Sequence, residues 1–240
     1  MDEKKKSDEF RELTEELTGL ESNKVINTLK GLTVRPGVVI EYYLKGGRKR
    51  FLSPVIYFFA LLTLHYFLLS LTGFLDHFLE IQVERVALAF GQDESLEDHQ
   101  LEMVVNQFSG FITFFMSEIG QKLVALPLAI VLVWLIYRRK KSGFKAHIWL
   151  ALYTFGHISL FGMVIALFWN VGLTVAAVNF LTMLFSISYW IYATGQFYKL
   201  SIWRAIGFGF LFYLVYLILF TLVGGIVGIY LGIQIAMELG

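Results

Sequence analysis

Three polar side chains stand inside long apolar runs, and chemistry would be sought there first. They are His65, His157 and Asn179. At ~1.5 Å of helical rise per residue His65 and His157 lie about 21 and 17 Å from the inner starts of their runs, and Asn179 about 12 Å from the outer start of its own. That places them in one layer somewhat outside the midplane of a bilayer. Thr63, Thr154, Tyr213 and Tyr216 are able to join the layer. Histidine changes charge near neutral pH, so such a layer suits proton or small-solute handling. The competing reading is hydrogen bonding between helices, worth roughly 0.6–2 kcal/mol per contact. The runs hold no Asp or Glu in their interiors. A proton path without acids is harder to build, so the packing reading is favoured.

The remaining candidates are weaker. His77 and His99 lie among Asp76, Glu80 and Asp98, which are ordinary metal-ligand types. No His-x3-His or Glu-x-x-His spacing accompanies them, so a solvated acidic surface is the better reading. His147 precedes an apolar run and either faces lipid phosphates or caps the bundle. Gly207-x-Gly209 lies within an apolar run, not between a strand and a helix, and is no nucleotide loop. There is no cysteine. Disulfides, thiol nucleophiles and Cys-ligated metals are therefore excluded. The expectation is no catalytic residue, no metal and no cofactor; an enzyme acting on lipid is left open but would need paired acids or a metal motif that the sequence does not show.

These residues need elements to position them. The chain has 240 residues, 57% of them hydrophobic and 16% charged. Its mean hydropathy is +0.64. Soluble domains carry about 45–50% apolar residues. The fold class expected is all-α, a polytopic integral membrane bundle of about five helices. Residues 1–21 read as a charged cytoplasmic tail. Residues 22–50 read as a juxtamembrane module, with apolar Val25, Ile26, Leu29 and Leu32 at helical spacing. Pro36-Gly37 breaks that helix, and an interfacial segment follows. The first span is 51–74. Residues 75–119 form an acidic, amphipathic, extracytoplasmic helical segment. The bundle is completed within 120–240 by helices at about 121–137, 146–168, 171–193 and 206–237. Residues 1–20 lack an apolar core of signal-peptide length, so the first span is expected to act as an uncleaved anchor.

Charge orients the chain. Eleven of the twenty Lys and Arg residues precede the first span, five lie in 138–145 and two in 199–204. With five spans all three regions fall on the cytoplasmic side, as the positive-inside rule requires. A sixth span over 103–119 would separate them and is rejected. The N-terminus is then cytoplasmic and the C-terminus extracytoplasmic. Lys45, Arg48, Lys49 and Arg50, with Arg138, Arg139, Lys140 and Lys141, are candidate contacts for anionic phospholipid headgroups. Nucleic acid is not expected as a partner, because no aromatic-rich soluble domain accompanies the basic cluster. Gly224, Gly228 and Gly232 clear one stripe of the last helix. A neighbouring backbone can approach such a stripe, either within the chain or from a second subunit.

The stretch TLKGLTVRPGVVIEYYLKGGRKRFLSPVIYFF resembles a family of bacterial multi-pass proteins, domain of unknown function 3667. Thr28, Leu29, Leu32, Pro36, Gly37, Ile40, Tyr43, Gly46, Arg48, Arg50, Phe51, Ser53 and Pro54 carry the resemblance in order. A second block carries it through Leu126, Pro127, Arg138, Arg139 and His147. Typical members begin with a Cys-rich zinc ribbon, which a chain without cysteine lacks. The resemblance implies a five-helix protein of the bacterial inner membrane and no catalytic residue. The functional expectation is a structural, accessory or lipid-interacting membrane protein. The alternative is a small channel or transporter built on the His/Asn layer.

Overall fold

The computed structural model describes residues 22–78, 80–81, 84, 118–138 and 143–239. The tail 1–21, most of 75–119, and Arg139, Lys140 and Lys141 lie outside the described residues. Within them the chain is all-α. The principal helices are α1 (Ser22–Val34), α2 (Pro36–Leu44), α3 (Pro54–Leu71), α4 (Glu118–Tyr137), α5 (Phe144–Leu167), α6 (Val175–Phe197) and α7 (Ile202–Leu239). A 3-10 turn, Phe168–Val171, joins α5 to α6.

Local chemistry sets the boundaries. Pro36 and Pro54 each open a helix, where a missing N–H costs nothing and the fixed φ already suits the first turn. Gly172, at φ 99°, ends the 3-10 turn in the left-handed region that glycine tolerates best. The Thr174 hydroxyl then accepts from the Ala177 N–H and caps α6.

Four helical stretches are long and apolar enough to cross a membrane: Pro54–Leu71, Phe144–Val171, Val175–Phe197 and Ile202–Ile226. The run at 121–137 lies on α4, whose described apolar part, Leu126–Tyr137, is shorter.

α5 is the centre of the bundle. Of its apolar window 78% is buried, against 33% for α3, 17% for α6 and 11% for α7. α3 and α7 are as apolar, so hydropathy does not select it; α5 differs in carrying Ala151, Gly156, Ser159, Gly162 and Ala166, small residues that let neighbouring helices approach closely. α3 runs beside it in the same direction. Tyr57 meets Tyr153 and His157, and His65 meets Gly162. α5 therefore extends past the start of α3 by roughly 13 Å, at ~1.5 Å per residue. α1, α2 and the segment 45–53 fill that space. Leu32, Val39, Ile40, Phe51 and Leu52 are buried in the same core cluster as Leu61, Leu150, Tyr153, Trp190 and Phe212. The α1–α2 pair is thus part of the bundle core and not an appendage on its surface.

Three aromatic contacts bring the basic segments to one end. Tyr137, closing α4, stacks on Tyr198, just past α6, at 4.1 Å and 9°. His147, in the first turn of α5, bonds the Tyr198 hydroxyl at 2.6 Å. Tyr43 of α2 meets Trp149 of α5 edge-on at 6.0 Å. Residues 45–50, Arg138, Lys145, Lys199 and Arg204 follow these helix ends and share that end of the molecule.

Candidate functional site

The densest buried hydrogen bonding lies where the α1–α2 pair meets α5 and α6. Its origin is the Arg35-Pro36 elbow. In a continuous helix the Leu32 carbonyl would accept from residue 36, but proline has no N–H. The Val34 carbonyl would accept from Val38, but the Val38 N–H goes to the Arg35 carbonyl at 3.0 Å. The Leu32 and Val34 carbonyls are thus among the acceptors left at the end of α1. α6 supplies their donors from positions one helical turn apart. The Tyr189 hydroxyl donates to the Leu32 carbonyl at 3.0 Å, and the Tyr192 hydroxyl to the Val34 carbonyl at 2.5 Å. A buried carbonyl without a partner costs about 1–3 kcal/mol, so Tyr189 holds the elbow as well as satisfies it, while the Tyr192 bond lies on an exposed edge.

His157 extends the clasp. It is fully buried on α5. Its Nδ1 lies 2.6 Å from the Tyr57 hydroxyl and its Nε2 lies 3.1 Å from Thr33 Oγ1. The Thr33 hydroxyl donates its proton to the Leu29 carbonyl at 2.8 Å. Thr33 can then only accept from His157, so Nε2 carries the ring proton and Tyr57 donates to Nδ1. Both ring nitrogens are satisfied by the neutral imidazole. Tyr57, Phe161 and Tyr189 surround the ring at centroid distances of 6.2, 5.1 and 4.8 Å.

One further bond ties α1 to the segment that leads into α3. The Leu52 N–H donates to Thr28 Oγ1 at 2.9 Å, and the Thr28 hydroxyl donates to the Lys24 carbonyl at 2.6 Å. Tyr153 of α5 donates to the Leu52 carbonyl at 2.5 Å. α2 is held by closeness instead. A Cβ at Gly37 would lie 2.7 Å from the backbone of Gln196 and Phe197, so α2 and α6 touch main chain to main chain. Only glycine leaves room for that approach.

The polar layer divides into two places. His65 fits the notch left by Gly162, where a Cβ would come within 2.5 Å of its ring. His65, Asn179 and Thr182 line one pocket of about 80 Å³ between α3, α5 and α6. His157 lies elsewhere, in the clasp. Thr154 is buried on α5, and Tyr213 and Tyr216 stay together on α7 at 6.3 Å. Lys122 of α4 reaches into the bundle and donates to Ser159 at 2.7 Å.

The basic positions also differ among themselves. Lys45 pairs with Glu41 at 3.0 Å on an exposed turn of α2. The bond from Lys45 and its charge, with Lys199 further off, hold the Glu41 carboxyl below the usual carboxylate range. The pair therefore persists as pH falls to the usual carboxylate range and is lost only below it. An exposed pair of this kind adds little stability. Arg48, Lys49, Arg50 and Arg138 are exposed. His147 is fully buried and caps the bundle through Tyr198. His77 stacks on Trp169 at 5.0 Å and sits 3.6 Å from Glu80. Among the described residues no three His, Asp or Glu side chains are grouped to hold a metal. Gly224 is half-buried on α7, and Gly225 faces open space.

The family described as "Protein of unknown function (DUF3667)" matches residues 23–67. No curated protein and no solved structure matches the chain. The matched stretch covers α1, α2, the basic segment and α3 as far as Phe67. The geometry explains why its residues take these types. Thr28 ties α1 to Leu52, and Leu32 and Ile40 are fully buried. Pro36 makes the elbow, Gly37 admits α6, and Gly46 turns at φ 95°.

Thr33, Tyr57, Tyr189 and Tyr192 are the site residues that sequence reasoning did not single out. One signal was present: Pro36 in a helical stretch announces an orphaned carbonyl four residues earlier. Tyr189→Phe is expected to lower stability by about 1–3 kcal/mol, because Leu32 loses its buried donor. Tyr192 is 40% exposed and water can replace its hydroxyl, so Tyr192→Phe is expected to cost under about 1 kcal/mol. Thermal unfolding in detergent, compared between the two variants, measures the difference.

Proposed function

We propose that this chain is a five-crossing protein of the cytoplasmic membrane, with α4 as the fifth crossing and the basic end inside. Its role in this reading is structural or accessory. The clasped α1–α2 pair lies at the inner leaflet, and Arg48, Lys49, Arg50 and Arg138, with Arg139, Lys140 and Lys141, engage anionic phospholipid headgroups. One observation carries the reading: cations from three separate segments gather at the end where α1 and α2 are built into the core. Cytoplasmic leaflets attract such clusters with about 1 kcal/mol per residue near the surface.

Because the chain has no cysteine, single-cysteine labelling has a clean background. Ser95→Cys is expected to label only from outside intact cells and Ser142→Cys only after permeabilisation. Labelling of both from one side sinks the topology. Neutralising Arg48, Lys49 and Arg50 to Gln is expected to mix or invert these patterns, since cations beside the first span set orientation.

The pocket lined by His65, Asn179 and Thr182 supports a second reading, a small-solute or proton path. A volume of about 80 Å³ beside His65, Asn179 and Thr182 is room enough for ordered water. Proteoliposome flux that is unchanged by His65→Leu counts against that path.

A further inference from the structure

A groove of about 460 Å³ runs along the outer side of the α1–α2 elbow. Three cations from three different segments line it: Lys30 on α1, Arg35 at the elbow and Arg50 just before α3. No carboxylate is among its lining residues. Among the described residues none of the three is in an ion pair, although Lys45 nearby has Glu41. Like charges gathered around one concavity raise its potential and draw an anion. Two of the three are arginines, whose planar fork matches phosphate oxygens in pairs.

The rest of the groove is apolar. Val34 and Val38 line it and are 54% and 56% exposed. Phe51 forms part of the floor, with the Arg50 guanidinium 5.6 Å above its ring and Tyr42 against its edge at 5.5 Å. Stacking on Phe51 restrains the Arg50 side chain before any ligand arrives. A soluble phosphate would use the cations and leave the valines in water. A phosphate carrying hydrocarbon uses both.

We infer that this groove binds one anionic phospholipid. Its phosphate sits among Lys30, Arg35 and Arg50, and an acyl chain lies along Val34 and Val38. The inference rests on the proposal that the basic end meets an anionic leaflet, and it adds a discrete site to that diffuse attraction.

The test is native mass spectrometry of the full chain in detergent, with phosphatidylglycerol, phosphatidylcholine and inorganic phosphate as probes. Wild type is expected to retain one phosphatidylglycerol in preference to phosphatidylcholine. Arg35→Gln with Arg50→Gln is expected to weaken retention by about tenfold or more, given the worth of each cation near a membrane surface. Lys199→Gln with Arg204→Gln removes the same charge from the same end and is expected to change retention by less than about twofold. Val38→Asn is expected to weaken phosphatidylglycerol while leaving inorganic phosphate unaffected. Size-exclusion profiles keep unfolded variants out of the comparison.

Equal loss in the two charge pairs overturns the groove and leaves the diffuse surface attraction standing. Competition by inorganic phosphate at the lipid's own concentration makes it a soluble-anion site and overturns the inference. Equal retention of phosphatidylcholine and phosphatidylglycerol by wild type overturns both the groove and the anionic-lipid reading. The topology proposal is judged separately, by the cysteine labelling at 95 and 142.

Discussion

Gly37→Val is expected to separate α2 from α6 and to lower the stability of the whole bundle. A Cβ there would lie 2.7 Å from the carbonyl carbon of Gln196 and the amide nitrogen of Phe197. Both atoms are main chain in the last turn of α6, so neither can swing aside as a side-chain tip would. The helices must move apart, and the movement breaks the contacts of Val39 and Ile40, which are almost completely buried beside it. Overpacking of a core costs about 1–3 kcal/mol, and more where backbone must shift. We expect the upper end of that range or beyond, seen as a clear drop in the detergent melting midpoint. Gly143→Ala is the control. Gly143 has open space around it and a negative φ of −61°, so its replacement should cost no more than a poorer N-cap for α5, about 1 kcal/mol. Equal effects at the two glycines would show that α2 is not held by main-chain proximity.

The second large effect is at His157, and its sign structure is the informative part. His157→Leu removes both ring partners at once. The Tyr57 hydroxyl, on a residue 2% exposed, then has no acceptor where the imidazole stood. Stranding a buried polar group costs about 1–3 kcal/mol in addition to the bond itself. Removing both members of a pair costs less, because nothing polar is left behind. His157→Leu with Tyr57→Phe is therefore expected to be more stable than His157→Leu alone. A double-mutant cycle by thermal unfolding gives the coupling, expected at about 1–3 kcal/mol. Purely additive losses would mean that the two residues are not a bonded pair.

These predictions fall on residues that differ in how visible they were in the sequence. Four helices able to cross a membrane were legible because apolar runs of membrane length have few alternatives in water. The elbow was legible in Pro36-Gly37, since proline both lacks a donor and resists the interior of a helix. The partners of that elbow were not. Tyr189 and Tyr192 sit in an apolar run and are indistinguishable there from interfacial tyrosines until α6 is placed beside α1. His157 looked like a member of the same layer as His65 because depth along a helix was the only coordinate available. Depth says nothing about which way a side chain faces. In the fold His65 points to Gly162, in the pocket shared with Asn179, while His157 meets Thr33 and Tyr57.

The basic segment shows the same division. Its composition alone fixes a site of strong positive charge beside α3, because charge is a property of the residues and not of their arrangement. The arrangement decides which cations act together. Lys45 is turned to Glu41. Arg50 is turned to Phe51 and to the groove that Lys30 and Arg35 share. Sequence by itself determined that the described residues are helical, with helices able to cross a membrane, and the place of the basic clusters, since hydropathy and charge are local. Only the tertiary structure decided that residues 22–53 belong to the core of the bundle. The reason is physical: the elbow leaves the Leu32 and Val34 carbonyls without donors on α1, and the tyrosines that supply them lie some 157 residues further along the chain.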